Sequence, residues 1–192
     1  MPFDGLVTKC IAEELDAALK GGRIEKAYQP ERDEIHLIVR SAAKSHRLLI
    51  SASASAPRLH LAASSKPNPA SAPMFCMVLR KYLGGGKVTG VTAEGFERAA
   101  AIHVESPNEM GDVSPKTLIA EMMGKHSNII LLNADGRIID SLIHVDSELS
   151  RVREIMPARE YAPPPRQQGK LQPGTDATGE ILARLAALRG EQ

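Results

Sequence analysis

Six histidines, two cysteines and a serine-rich run are the residues of this 192-residue chain whose types could support catalysis or metal binding. Their spacing argues against both. His36, His46, His60, His103, His126 and His144 form no HExxH pair on one helical face, so zinc-protease chemistry has no ligand set. Histidines in alternating segments read as lining the solvent faces of strands. Cys10 and Cys76 make no CxxC and read as reduced thiols in apolar helices. The serines between Ser51 and Ala56 have no GxSxG elbow to expose a nucleophile. Gly84-Gly85-Gly86 is followed by no GK[ST], so it reads as a flexible helix stop rather than a phosphate loop. No metal, cofactor or catalytic residue is expected. What remains is a basic corner, Lys125-His126-Ser127-Asn128, inside the stretch Glu121 to Leu132. Its side chains can offer hydrogen-bond donors to an anion, provided the flanking elements hold the turn.

Composition narrows the ligand class. Hydrophobic residues make up 43% of the chain, enough for a core, whereas aromatics make up 3% with no Trp. A row of aromatics that stacks single-stranded bases is therefore not expected. The net charge is +1, which supplies no global basic field. Any nucleic acid must be held by local patches. No apolar run approaches the length of a membrane span and no signal peptide is read, so a cytoplasmic location is expected.

The elements that would position these residues follow from periodicity. Leu6, Val7, Cys10, Ile11, Leu15, Ala18 and Leu19 recur at three and four, predicting a helix capped by Asp4 and stopped by Gly21-Gly22. Strands are predicted over Arg23–Gln29, Glu34–Arg40, Arg47–Ala54 and Arg58–Ala63, an antiparallel meander. The Ser- and Pro-rich 64–73 is a loop. Met74–Leu83 is a second helix with Met74, Met77, Val78 and Tyr82 on its inner face. Lys87–Ala93 and Ala99–Glu105 form a hairpin with Glu94 to Arg98 at its bend. Ser114-Pro115 reads as a helix start, running to Gly124 as the C′ glycine. Ile129–Val145 is a hairpin around Asn133-Ala134-Asp135-Gly136. A short helix is predicted over Ser147–Ile155. A proline-rich linker follows over 162–177, then a helix over 178–192 that reads as the start of a second module.

Five blocks carry a resemblance: MPFDGLVTKCIAEEL, GGRIEKAYQP, PMFCMVLRKYLGGG, EMMGKHSNIILL and DGRIIDSLIHV. In this order over 1–161 they resemble the N-terminal domain of the NFACT family. The resemblance implies an α+β fold, an antiparallel β-sandwich with flanking helices similar to the N-terminal domain of formamidopyrimidine-type DNA glycosylases. It implies a role in ribosome-associated quality control. The partners would be the large ribosomal subunit carrying a stalled peptidyl-tRNA, and tRNA charged with alanine, for template-free tailing of the stalled chain. The family's Asp-Arg dipeptide for tRNA recognition falls on Glu97-Arg98, with the acid one methylene longer. Asp4 matches a family acidic position tied to tRNA function, and N-capping explains it equally well. Lys125 and His126, then Arg80 and Lys81, become candidate phosphate contacts. No DNA or membrane partner is implied. Two other readings stand beside this one. Some family members carry the name fibronectin-binding protein, which suggests an adhesion module. The glycosylases use an N-terminal proline, but here Pro2 is preceded by Met1 and followed by Phe3, which disfavours a base-excision activity.

Overall fold

The computed structural model describes residues 3–108 and 110–165, together with positions 179 and 182. The first helix, α1, spans Gly5–Leu19. The Asp4 carboxylate accepts from the Val7 N–H at 2.9 Å, satisfying an N–H that no helical carbonyl can reach. Thr8, Ala12, Leu15 and Leu19 form its buried stripe. Leu6 and Cys10, expected on the apolar face, are exposed. The small Thr8 and Ala12 take the inner side instead, and the Asp16 carboxylate ties the helix to the sheet by accepting from the Val91 N–H at 2.8 Å.

Strands β1 (Arg23–Glu31), β2 (Glu34–Ser41), β3 (Lys44–Ser51) and β4 (Arg58–Leu61) form the expected meander. Helix α2 spans Met74–Leu83, after which come β5 (Lys87–Ala93), β6 (Ala99–Pro107), β7 (Val113–Glu121), β8 (Asn128–Leu132) and β9 (Ile138–Ser141). All nine strands join in one antiparallel sheet, ordered β4-β3-β2-β1-β5-β6-β7-β8-β9. Its two halves meet at a narrow seam, where β1 and β5 share the single register pair Arg23↔Lys87. The triple glycine is built into this seam and is not a loose stop. Gly85 N–H donates to the Ile24 carbonyl at 2.9 Å, and Ile24 N–H donates to the Gly86 carbonyl at 2.8 Å. A Cβ on Gly86 would stand 2.7 Å from Val104 Cγ1, so only glycine lets the chain pass this close to β6.

Buried residues of both halves belong to one core that includes Leu15, Leu19, Ile35, Leu37, Leu48, Leu79, Val88, Ile102 and Leu118. A smaller cluster of Ile119, Ile130, Leu132, Ile138 and Ile155 lies on the other face of β7–β9. Strand β8 is buried along its whole length, which accounts for its unbroken apolar run.

Four local expectations are corrected. The stretch from Ser114 to Glu121 is strand, not helix. Pro115 stands opposite Glu105, outside the 117–121 stretch of β7 that pairs with β8, so on that side its missing N–H breaks no ladder bond. Gly124 has a left-handed φ of +60°, but it opens a 3-10 turn, Gly124–His126, and does not close a helix. On α2, Phe75, Cys76, Leu79 and Leu83 face inward, while Met74 and Met77 are exposed. The segment after Ser147 is not helical. The Asp146 carboxylate accepts from the Glu148 and Leu149 N–H groups, and Val145 pairs with Ile155 across the loop. Pro2, the linker beyond 165 and the 178–192 helix (apart from Gly179 and Leu182) lie outside the described residues.

Candidate nucleic-acid interface

The bend between β5 and β6 presents the Glu97-Arg98 dipeptide. Glu97 N–H donates to the Glu94 carbonyl at 3.1 Å, which closes the turn. The Arg98 carbonyl accepts from Met122 N–H at 2.8 Å, fixing the bend to the end of β7. Glu97 is half-buried and Arg98 exposed. Neither side chain has a hydrogen bond or ion pair among the described residues, so both are available to a ligand.

The start of α1 abuts this bend. A Cβ on Gly5 would fall 1.6 Å from the Phe96 carbonyl oxygen, so the contact requires glycine there. Lys9 Nζ lies 5.1 Å from the centroid of the Phe96 ring. Asp4, the positive end of the α1 dipole, Glu97 and Arg98 are thereby gathered at one end of the sheet. The same end holds the basic corner. Met123 N–H donates to Ser127 Oγ at 2.8 Å, and His126 N–H to the Met123 carbonyl at 3.2 Å. These bonds set the Gly124–His126 turn and leave the Lys125 and His126 side chains exposed.

Between the bend and the segment from Tyr161 to Pro164 lies a cleft of about 210 Å³, whose walls include Glu97, Arg98, Ile119, Met123, Tyr161 and Pro163. Its far wall is held by residues that sequence spacing did not single out. Glu121, the last residue of β7, is buried and accepts from Arg153 Nη1 and from Tyr161 Oη at 2.7 and 2.8 Å. Arg153 Nη2 donates to the other carboxylate oxygen at 2.5 Å, making the pair bidentate. Burial works against the Arg153 charge, but the Glu121 contact outweighs it and its pKa is raised. Burial and then the Glu121 charge push the Tyr161 hydroxyl far above its usual range, so it remains a donor. The three residues are separated by 32 and 8 positions, and no spacing rule connects them.

Arg80 and Lys81 are not part of this group. They lie in the last turn of α2, separated from the bend by the length of β5, roughly 20 Å for a seven-residue strand. Arg80 Nε donates to the Ala27 carbonyl at 2.9 Å, and its guanidinium lies over Tyr28. The histidine expectation also fails at one position. His36 is buried, and its Nε2–H donates to Glu34 Oε1 at 2.9 Å.

Among the described residues, a nine-stranded antiparallel sheet with two helices defines an α+β domain, and an acid-arginine dipeptide with no partner there stands at one end beside a small cleft. The chain belongs to the NFACT family: the family model described as NFACT N-terminal and middle domains matches residues 4–190. It is 38% identical over 191 residues to the Rqc2 homologue RqcH of Bacillus subtilis, covering 99% of this chain and 33% of that protein. It is 28% identical over 161 residues to the archaeal homologue aRqcH of Methanocaldococcus jannaschii, covering 82% and 22%. The chain thus spans about a third or less of the length of these relatives. Among solved structures it is similar to the N-terminal domain of the fibronectin-binding protein PavA from Streptococcus pneumoniae. The TM-score is 0.88 at 38% identity, covering 96% of this chain and 69% of that one. The fibrinogen-binding protein of Staphylococcus aureus aligns with a TM-score of 0.78 at 37% identity, covering 89% and 59%. Among the described residues no helix is long and apolar enough to cross a membrane, and no cluster of metal-ligating side chains occurs.

Proposed function

We propose that this chain is the RNA-binding domain of a ribosome-associated quality-control factor in the cytoplasm. It positions alanine-charged tRNA beside a large ribosomal subunit that holds a stalled peptidyl-tRNA, for template-free tailing of the stalled chain. Bond formation belongs to the ribosome, and the domain contributes grip and orientation. The observation that carries the reading is the gathering of Asp4, Glu97, Arg98, Lys125 and His126 at one end of the sheet, with Glu97 and Arg98 unpaired among the described residues. Arg98 can donate two parallel bonds to a phosphate or a guanine edge. Glu97 can accept from a base amino group, while Lys125 and His126 add phosphate contacts that fix the register of the RNA. The similarity to relatives named as Rqc2 homologues supports the same reading.

The test is binding of the chain to deacylated and alanyl-tRNA across a salt series, beside Glu97→Ala and Arg98→Ala. Saturable binding that weakens with salt and is lost in both variants is the expected result. A folded chain with no tRNA affinity would remove this domain as the site of recognition. The names of the structural neighbours favour a second reading, a protein-interaction module for fibronectin or fibrinogen. Tight fibronectin binding that survives both substitutions, with no RNA affinity, would establish it instead.

A further inference from the structure

A second pocket, of about 120 Å³, lies at the start of α2 and is lined by Gln29, Asn68, Pro73, Cys76 and Arg80 among others. It is small beside the pockets of about 300 Å³ and more that take drug-sized molecules. Three features define what could fill it. The first hydrogen bond of α2 runs from Met77 N–H to the Pro73 carbonyl at 3.1 Å, so the N–H groups of Met74, Phe75 and Cys76 precede the helical ladder. No side chain caps them, because the N-cap is Pro73. The Arg80 guanidinium adds positive charge, with its Nε committed to Ala27, its plane over Tyr28 and Nη1 in a long contact to Met77 Sδ. These are donors, and together with the helix dipole they select an anion.

The third feature is an acceptor. Gln29 is 5% exposed, and its Nε2 donates to the Arg32 carbonyl at 3.2 Å. That bond fixes the amide orientation and leaves Oε1 as a buried acceptor with no partner. A buried acceptor without a donor is uncommon and points to a missing group. Nearby Cys76 cannot supply it, because its thiol faces the Ala27 carbonyl at 3.5 Å. Burial raises the Cys76 pKa, so the thiol adds no negative charge to oppose an anion. The pocket therefore calls for an anion that accepts several hydrogen bonds and donates one. A phosphodiester has no proton to give. A phosphate monoester near its second pKa of about 6, or inorganic monohydrogen phosphate, has one.

We propose that the pocket formed by Gln29, Asn68, Arg80 and the first turn of α2 binds a protonated phosphate group, supplied by free phosphate or by the terminal phosphate of a nucleic acid. It is separate from the hairpin cleft and does not rest on the RNA-binding reading of that cleft.

The experiment is a titration of the 192-residue chain followed through its backbone amide NMR signals. The probes are inorganic phosphate, sulfate, and one trinucleotide with a 5′-phosphate or a 5′-hydroxyl. Phosphate is expected to shift the Met74, Phe75 and Cys76 amides saturably, and to bind at least about tenfold tighter than sulfate, which has the same shape but no proton to donate at neutral pH. Gln29→Met should erase that preference, and Arg80→Gln should weaken both anions. The same amides responding to the 5′-phosphorylated trinucleotide, and not to the 5′-hydroxyl form, would identify a nucleic-acid end as the source. A response to inorganic phosphate alone would identify the free ion. Equal response to phosphate and sulfate, shifts confined to other residues, or no shift at about 10 mM ligand would overturn the proposal. If Gln29→Met does not fold, the phosphate-to-sulfate ratio of the unaltered chain decides the question.

Discussion

Two acid-arginine pairs sit at the same end of the sheet and have opposite fates. Glu97 and Arg98 are neighbours in sequence, at the tip of a hairpin, with no partner among the described residues. Glu121 and Arg153 are 32 residues apart, the acid buried and the arginine half-buried, bidentate and joined by Tyr161. Ala99, the first residue of β6, pairs with Glu121 of β7, so the bend that carries Glu97 ends beside Glu121. The difference teaches that the same chemistry stays available to a ligand when it is left open to water and is committed to architecture when it is closed. An exposed pair keeps its solvation and can exchange it for a ligand. A buried pair has already exchanged its solvation for the fold, and it holds Tyr161 and the following prolines as the far wall of the cleft.

The comparison can be broken most sharply from its buried side. Arg153→Ala leaves the Glu121 carboxylate enclosed without a counter-charge and should cost about 3–5 kcal/mol of stability in a denaturant titration. A cost under about 1 kcal/mol would mean that water reaches Glu121 and the pair is not closed. Arg98→Ala should show the opposite balance. Its unfolding midpoint should move by no more than about 0.5 kcal/mol, while tRNA affinity falls about tenfold or more through loss of a charge-assisted contact. A large stability loss would make Arg98 a second structural arginine. Asp4→Ala should destabilise by about 1 kcal/mol through loss of the α1 cap. Asp4→Asn should retain most of that, since the amide oxygen can still accept from Val7. If Asp4→Asn nevertheless loses tRNA affinity, the carboxylate charge serves recognition as well.

A third acid extends the contrast to pH. Glu34 is buried in β2 and accepts from Arg58 and Lys66 at 2.9 and 3.1 Å, with His36 on its other oxygen. Burial raises its pKa, but Lys66 and His36 outweigh this and hold it below the ordinary value of 4.5. Burial depresses His36 below 6.5 despite the Glu34 contact. In both cases the unfolded chain binds the proton more readily than the folded one. Stability is therefore fully present above the unfolded value and is lost as pH falls through the folded one. The denaturation midpoint should decline in two stages on acidification, the first beginning near 6.5 and the second near 4.5. His36→Gln should flatten the first stage and leave the second. A flat midpoint between pH 7 and 5 in the unaltered chain would refute the assignment of His36 as buried and neutral.

Local chemistry was readable wherever one segment supplied all of it. The Asp4 cap, both helices, the β5–β6 and β8–β9 hairpins and the exposed Lys125-His126 corner follow from residues within one turn or one strand pair. The Ser114-Pro115 signature was misread because Ser-Pro suits a helix start and a strand end alike. Only the register with β6 and β8 shows that Pro115 lies outside the stretch paired with β8. The inward side of α2 was misassigned because apolar residues surround it. Contact with β1 and β6 buries Phe75, Cys76 and Leu79 and leaves Met74 and Met77 outside.

By itself, the sequence determined most of the element types, the family blocks and the dipeptide at the hairpin tip, because these are short-range properties of neighbouring residues. The tertiary structure alone decided which charges are closed and which are open. Tertiary packing brings Glu121 to Arg153 and Tyr161, Glu34 to Arg58 and Lys66, and Gly5 to the carbonyl of Phe96. Burial depends on what the rest of the chain places overhead, and partners 24 residues or more apart leave no period for a sequence to display.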